Sequence, residues 1–179
     1  DHLFSRGTQK IVGNAREVAR AYLQEHGQVI RSDIVAMASD VEGWAGQLAN
    51  APGELGTALL GQSSLRNLSM ARVIDGKGET IAAAPILNSP GPNPALKRYL
   101  AEAASGDVVI VPPGKTDEVG ALKRLSTLSD AYLYVARSVN GKVLSQLRET
   151  ERTVAMFKEL EERRVGSQIA IGLMYVELT

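Results

Sequence analysis

Residues 71–84 read Ala-Arg-Val-Ile-Asp-Gly-Lys-Gly-Glu-Thr-Ile-Ala-Ala-Ala, and this segment decides the predicted fold. Two runs rich in small and β-branched residues, 71–74 and 79–84, flank the sequence Asp-Gly-Lys-Gly. The two glycines supply the positive φ angles that tight hairpin turns require. The segment therefore predicts a β-hairpin, in a chain whose ends both have helical patterns.

Three further strands are predicted after the hairpin, at 107–111, 121–128 and 131–139. Each is rich in apolar residues and is bounded by proline, glycine or aspartate, which favour turns. Short helices are predicted over 54–60 and 95–104. Five short strands cannot close a barrel, but they suit an antiparallel sheet covered by helices. The predicted fold class is therefore α+β.

A long helix is predicted on each side of the sheet. Over residues 9–48, apolar side chains recur at alternating spacings of four and three, which is typical of a helix with a narrow apolar stripe. The rhythm slips by one residue near Gly27, where we expect a bend or stutter. The same rhythm predicts a helix from 142 to at least 168. Two such stripes favour a parallel homodimer paired through the long helices.

The composition excludes several classes of function. Twenty basic and 20 acidic residues give a formal net charge of +0, so no basic excess favours a nucleic-acid partner. Cysteine is absent, which excludes thiol catalysis, disulfides and Cys-ligated metals. The two histidines, His2 and His26, lie outside the spacings typical of Ser-His-Asp enzymes or zinc hydrolases. We therefore expect no catalytic residue, metal or cofactor in this chain.

Two arginines lie among apolar residues on predicted strands. Arg124 follows Leu122 by two positions, and Arg137 shares a strand face with Leu133 and Val135. An arginine on an apolar face needs an anionic partner or a route to water. One interpretation is a carboxylate- or phosphate-bearing small ligand bound by the guanidinium. The alternatives are an exposed edge or an internal salt bridge, with Asp130 and Asp107 as candidate partners.

Tyrosines accompany these arginines. Tyr99, Tyr132 and Tyr134 could line a pocket, or they could pack in the core with the hydroxyl reaching water. We predict that Arg137 contacts any small anionic ligand, with Tyr134, Arg124 and Tyr99 as further candidates.

An apolar run lies near the end of the chain. Residues 169–176, Ile-Ala-Ile-Gly-Leu-Met-Tyr-Val, follow the arginines at 163 and 164. Eight residues are too few to cross a bilayer, which takes about 20. The run is either the first turns of a membrane helix or a buried chain end.

The order and spacing of several segments resemble a known family. The segments are the hairpin at 71–81, Asp-Ala-Tyr-Leu-Tyr-Val-Ala-Arg-Ser-Val at 130–139, Val-Leu-Ser-Gln-Leu-Arg-Glu-Thr-Glu at 143–151, Tyr-Leu-Gln-Glu-His at 22–26 and Val-Ile-Arg at 29–31. Together they are similar to the extracytoplasmic sensor region of NtrY-type nitrogen-regulation histidine kinases. The resemblance covers about residues 3–176, and the tail Glu-Leu-Thr departs from it.

The resemblance implies a fold and a place in the cell. It implies a long N-terminal helix (1–50) packed on a five-stranded antiparallel PAS-like, single-Cache sheet (51–141). A C-terminal signalling helix (142–179) would then lead into a membrane segment. The region would be periplasmic, attached to the bacterial inner membrane by its flanking segments. It would have no enzymatic activity, because the kinase core lies outside this chain.

Two other functions fit the same patterns. A Cache-type sensor domain could serve a chemoreceptor or a cyclic-nucleotide signalling protein. A helical scaffold could instead bind protein partners through its long helices, although such a scaffold does not need five strands.

Overall fold

A computed structural model describes the backbone of residues 2–87, 96–114 and 116–178. The side chains of residues 2–15, 157 and 164–178 lie outside the description. The helices in the described ranges are α1 (His2–Leu48), α2 (Pro52–Arg66), α3 (Leu96–Ala103) and α4 (Gly141–Leu178). The strands are β1 (Met70–Asp75), β2 (Thr80–Ala83), β3 (Val109–Val111), β4 (Glu118–Arg124) and β5 (Ala131–Ser138). The predicted α+β class and long N-terminal helix are confirmed.

The chain forms two compact units. One contains residues 1–22 and 141–179, which are the first part of α1 and the whole of α4. The other contains residues 23–140, which are the rest of α1, α2, α3 and all five strands.

The five strands form one antiparallel sheet in the order β2-β1-β5-β4-β3. The predicted hairpin is confirmed as β1 and β2. Its turn is closed by the Asp75 carboxylate, whose Oδ1 accepts hydrogen bonds from the backbone N–H groups of Lys77 at 2.9 Å and Glu79 at 3.0 Å. Gly78 adopts a φ of 87°, which a side chain would strain. The hairpin therefore follows from local turn chemistry.

The predicted bounds of the fourth strand are wrong. It runs over Glu118–Arg124 rather than 121–128. Pairing explains the early start, because residues 118–120 lie opposite residues 136–138 of β5. Asp130 explains the early end, because its positive φ of 52° belongs to the turn that brings the chain back into β5.

The predicted helical patch at 54–60 is too short. Helix α2 continues to Arg66, since the hydroxyls of Ser63 and Ser64 donate to carbonyl oxygens four residues earlier at 2.8 and 3.0 Å and so do not interrupt it. It ends at Asn67, whose left-handed φ of 54° is typical of a helix C-terminus.

An apolar core covers the face of the sheet that contacts α3. Its members alternate along the strands, as the pleat requires. The core consists of Met70, Ile74, Leu96, Leu100, Ala103, Val111, Leu122, Tyr132, Tyr134 and Ala136. Tyr132 and Tyr134 are only 7% and 3% exposed, so both pack in the core.

Helix α1 lies against the opposite face. A Cβ at Gly27 would lie 3.7 Å from the side chain of Ile110 in β3, and the Glu42 carboxylate accepts hydrogen bonds from Ser126 N–H at 2.8 Å and Oγ at 3.0 Å. The helix buries a stripe of apolar side chains: Ile30, Ile34, Met37, Val41 and Ala45. The helical backbone continues through Gly27, so the phase slip in the sequence does not interrupt α1.

Neither long helix qualifies as a membrane span over its described residues, because no helix in that part of the chain is both long and apolar enough to cross a bilayer. The apolar run at 169–176 lies within α4, but its side chains are outside the described residues.

Candidate functional site

The four predicted ligand contacts do not share one face of the sheet. Arg124 lies opposite Tyr132 in the register, on the face that carries Tyr134, and Tyr99 packs against the same core. Arg137 lies three residues after Tyr134, and an odd spacing in a strand turns a side chain to the other face. Arg137 and Tyr134 therefore cannot bind one small ligand together.

On the α1 face, Arg137 belongs to an ionic cluster centred on Asp33. The Asp33 carboxylate lies 3.8 Å from Arg137 Nη1 and 3.5 Å from Nη1 of Arg66, at the end of α2. Arg66 Nη2 is also 3.9 Å from the Asp40 carboxylate. Because Asp33 is only 19% exposed, these charges interact more strongly than they would on an open surface. One carboxylate thus ties α1 to α2 and to the end of β5.

The two carboxylates that the sequence offered as partners of Arg137 lie elsewhere. Asp130 lies against the hairpin turn, where its carboxylate occupies the space that a side chain at Gly76 would need. Asp107 accepts a long hydrogen bond of 3.5 Å from Ser105. The internal salt bridge exists, but its anionic member is Asp33.

Arg124 and Tyr99 have local partners. Nη1 of Arg124 donates to the carbonyl of Ala104 at 3.0 Å, just after α3, where a cation stabilises the exposed carbonyls of a helix end. Tyr99 lies beside Arg98, whose guanidinium is 5.1 Å from the centre of the ring and whose Nη2 donates to the hydroxyl at 3.1 Å. These contacts account for both side chains without a ligand.

Tyr134 has polar neighbours on the α3 face, namely Arg72 and Glu118. Its ring covers Gly120, where a Cβ would come within 2.9 Å of the ring and of the hydroxyl. Burial raises the pKa of the Tyr134 hydroxyl from 10.0 to about 12, the negative charge of Glu118 adds to the rise, and Arg72 opposes it. Ser69 donates a hydrogen bond of 2.9 Å to the Glu118 carboxylate. The phenol is therefore a protonated donor at neutral pH.

We expect the stability of the chain to fall between about pH 10 and about pH 12 because of Tyr134. In the unfolded chain the phenol ionises near its ordinary pKa of 10.0, but in the folded chain it keeps its proton until about pH 12. The contribution of the protonated phenol to the free energy of unfolding is complete at pH values below the pKa of the unfolded chain. It is lost as pH rises through the pKa of the folded chain. Two pKa units correspond to about 2.7 kcal/mol. Urea unfolding at a series of pH values from below 10.0 to about 12 should show the free energy of unfolding of the wild type falling as pH rises. The fall should be smaller in Tyr134→Phe. An equal fall in both proteins would contradict the assignment.

The other unit contains its own ionic contact. Oε1 of Glu151 in α4 accepts hydrogen bonds from Arg16 Nε at 2.9 Å and from Arg20 Nη2 at 3.1 Å, both in α1. A carboxylate shared by two arginines is stronger than a single surface pair, which contributes roughly 0–1 kcal/mol. This contact joins the first part of α1 to α4 within the unit.

Sequence reasoning missed Asp33 and Arg72. Arg72 lies between Met70 and Ile74 on an apolar face, which is the same signal that singled out Arg137. Asp33 gave no comparable signal, because an aspartate on an amphipathic helix is ordinarily solvated. Its partners lie 33 and 104 residues away along the chain.

Among the described residues, no group of three or more His, Asp or Glu side chains is arranged to hold a metal ion. The polar side chains on the two faces of the sheet are those of arginine, tyrosine, serine and the acidic residues. They can bind and orient charged groups by hydrogen bonding.

Comparison with known proteins matches the whole chain to one family. The family described as the NtrY N-terminal region matches residues 1–178. The chain is 34% identical over its full length to the nitrogen regulation protein NtrY of Azorhizobium caulinodans, of which it covers 23%. It is 22% and 24% identical over 97% of its length to NtrY-like sensor histidine kinases of Rickettsia bellii and Rickettsia conorii, of which it covers 28% and 29%. The chain thus spans about a quarter of the length of these relatives. A solved structure, MglB with tetrameric arrangement, aligns with 61% of this chain and 91% of its own at 19% identity and a TM-score of 0.35.

Proposed function

The chain belongs to the NtrY N-terminal region family, and on that premise we propose that it is the signal-sensing part of a two-component sensor histidine kinase of the nitrogen-regulation type. The relatives' kinase names favour this over a chemoreceptor or a cyclic-nucleotide signalling protein. The catalytic core would lie outside this chain, in the remaining three quarters of a protein of the relatives' length. The five-stranded sheet argues against a purely helical scaffold.

The observation that carries the proposal is the connection from β5 to α4. The central strand β5 ends at Ser138 and α4 begins at Gly141, so only two residues separate them. In this proposal, a change in the position of β5 is passed to α4 through these two residues. A ligand or partner changes the output in this scheme only if it binds the protein more tightly in one position of α4 than in another.

We expect insertions in α4 of the full-length kinase to change its activity according to helical phase. One alanine inserted after Arg152 rotates everything beyond it by about 100°, whereas seven alanines restore the phase to within about 20°. Autophosphorylation in membranes should differ from the parent with one inserted residue and return towards the parent value with seven. Both insertions lie beyond the Glu151 contact and leave it in place. Equal activity of the parent and the one-residue insertion would rule out transmission through α4.

We assign residues 51–141 to a PAS-like, single-Cache sensing core, which the antiparallel order β2-β1-β5-β4-β3 supports. Residues 1–50 would form the supporting helix and residues 142–179 the signalling helix. An experimental structure that superposes poorly on characterised Cache domains would overturn this assignment.

We also propose that the region is periplasmic and tethered to the inner membrane by its flanking segments. These 179 residues contain no cysteine, so a thiol introduced here reports on its own position once any cysteines elsewhere in the full-length protein are replaced. Leu65 is 84% exposed, and Leu65→Cys should tolerate labelling. In the full-length protein, a membrane-impermeant maleimide should modify it in intact cells. Modification only after the inner membrane is permeabilised would place the region in the cytoplasm instead.

A parallel homodimer through the long helices completes the proposal. Met156 and Leu160 are both 58% exposed and lie four residues apart on one side of α4. Burying such a pair against a second copy would remove apolar surface from water. Oxidation of full-length Leu160→Cys in membranes should give a cross-linked dimer, whereas Glu162→Cys, on the other side of the helix, should cross-link poorly. Equal cross-linking at both positions would contradict pairing through the side of α4 that carries Met156 and Leu160.

A further inference from the structure

Asp33 is shared by two arginines that belong to different elements. Its Oδ1 lies 3.5 Å from Nη1 of Arg66, at the end of α2, and its Oδ2 lies 3.8 Å from Nη1 of Arg137, near the end of β5. A charge-assisted hydrogen bond between nitrogen and oxygen measures about 2.7–2.9 Å. Neither contact is therefore a fully formed hydrogen bond, although none of the three side chains is more than 24% exposed.

The two arginines differ in what else they contact. Arg66 Nη2 lies 3.9 Å from the Asp40 carboxylate, and Arg66 Nε donates to Oε1 of Gln62 at 3.3 Å. In the described part of the chain, Asp33 supplies the one carboxylate within 4.0 Å of Arg137. Arg66 can thus leave Asp33 and stay paired with Asp40, whereas Arg137 depends on Asp33.

We propose that Asp33 is a switch residue: Arg66 and Arg137 compete for its carboxylate, and the outcome decides how the end of β5 is held. In the arrangement observed, the two arginines share Asp33. In the second arrangement, Arg66 turns to Asp40, and Asp33 closes on Arg137 to hydrogen-bonding distance. Every charge has a partner in both arrangements, so the exchange leaves no buried charge uncompensated.

This inference rests on the proposed sensor function and adds the contact that regulates it. Arg137 is the last residue but one of β5, and α4 begins four residues later at Gly141. A tight pair with Asp33 holds the end of β5 to α1, and a loose pair releases it. A signal that moves the end of α2 would change how much of Asp33 is available to Arg137. The change would reach α4 through the connection proposed above.

Competition is tested in the 179-residue chain by a double-mutant cycle of Arg66→Met and Arg137→Met, measured by urea unfolding. Each single substitution leaves Asp33 to the other arginine, so its effect should be small. The double substitution leaves the carboxylate without either arginine. Its effect on the unfolding equilibrium constant should therefore exceed the product of the single effects by about threefold or more, which is the scale of coupling within one ionic network.

The same cycle in an Asp33→Asn background separates competition from repulsion between the two guanidinium groups. Repulsion does not need the carboxylate and would persist, whereas competition should disappear with it. Additive effects in the first cycle, or a coupling that is unchanged in Asp33→Asn, would overturn the competition. The cycles need no kinase activity, so they fail or succeed independently of the proposed sensor function.

In the full-length kinase, Arg66→Met and Arg137→Met should shift autophosphorylation in opposite directions. The first substitution gives Asp33 wholly to Arg137, whereas the second releases the end of β5. Arg31→Met is the matched control, because it removes the same charge from an exposed position of α1 two residues from Asp33. It should leave the activity at the parent level.

Asp40→Asn tests the switch without removing either arginine, so it serves if Arg137→Met does not fold. It takes away the second carboxylate of Arg66, keeps this arginine on Asp33, and should shift autophosphorylation in the same direction as Arg137→Met. The regulatory role is overturned if Asp40→Asn and Arg66→Met shift the activity in the same direction, or if neither differs from Arg31→Met. The insertion test in α4 changes no residue of this cluster, so loss of the switch and loss of transmission through α4 are distinguishable.

Discussion

Gly56→Ala is expected to lower the free energy of unfolding by about 2 kcal/mol, although alanine is the better helix former. Gly56 lies in α2 where the helix crosses β2, and a Cβ there would lie 2.5 Å from the backbone carbonyl oxygen of Ala83. The carbonyl belongs to a strand and cannot rotate away as a side chain would. Overpacking costs about 1–3 kcal/mol, and we take the upper end because backbone must move. The gain in helix propensity, about 0.8–1 kcal/mol, offsets part of this cost.

Gly61→Ala is the matched control, because Gly61 is an exposed residue of the same helix and a Cβ there would meet nothing within 4 Å. It should raise the free energy of unfolding by about 0.5–1 kcal/mol. Urea titrations of both variants and the wild type measure the difference. If the two substitutions had the same sign, the close approach of α2 to β2 would be refuted.

Leu133→Ala should lower the free energy of unfolding by about 2–5 kcal/mol, because it leaves a cavity in the middle of the sheet. Leu133 is completely buried and lies in β5, between its register partners Val73 of β1 and Lys123 of β4. Its neighbours belong to paired strands and have little freedom to collapse into the space. Thermal and urea unfolding of the isolated chain should both register the loss.

Leu65→Ala provides the comparison, since the same atoms are removed from a residue that is 84% exposed in α2. Its effect should stay within about 0.5 kcal/mol of zero. A loss at Leu133 as small as the loss at Leu65 would mean that β5 is not the central strand of a packed sheet.

The elements of this protein were predictable where short-range patterns specify them. The hairpin follows from the Asp-Gly-Lys-Gly turn, and β5 from the run of apolar residues at 131–139. Helix α1 follows from the 4/3 spacing of its buried stripe. The ends of β4 were wrong, because strand pairing with β5 and the backbone of Asp130 set them, and neither is a local property.

The four predicted ligand contacts stay a prediction, and the fold adds where they lie. Tyr134 is on the α3 face and Arg137 on the α1 face, since three residues along a strand reverse the face. The same alternation rule, applied to Met70, Arg72 and Ile74, indicates Arg72 from the sequence. The alternation rule does not predict which arginine pairs with a carboxylate, because that depends on where carboxylates from other elements lie.

The α+β class and the succession of helix, sheet and helix are specified by local patterns, because periodicity and turn residues act between near neighbours. The ion pairs of Asp33 in α1 with Arg66 and Arg137 follow from the folded structure alone. The reason is that ion pairs and burial depend on distances through space. Residues 33 and 137 are separated by more than a hundred positions in the chain and by 3.8 Å in the fold.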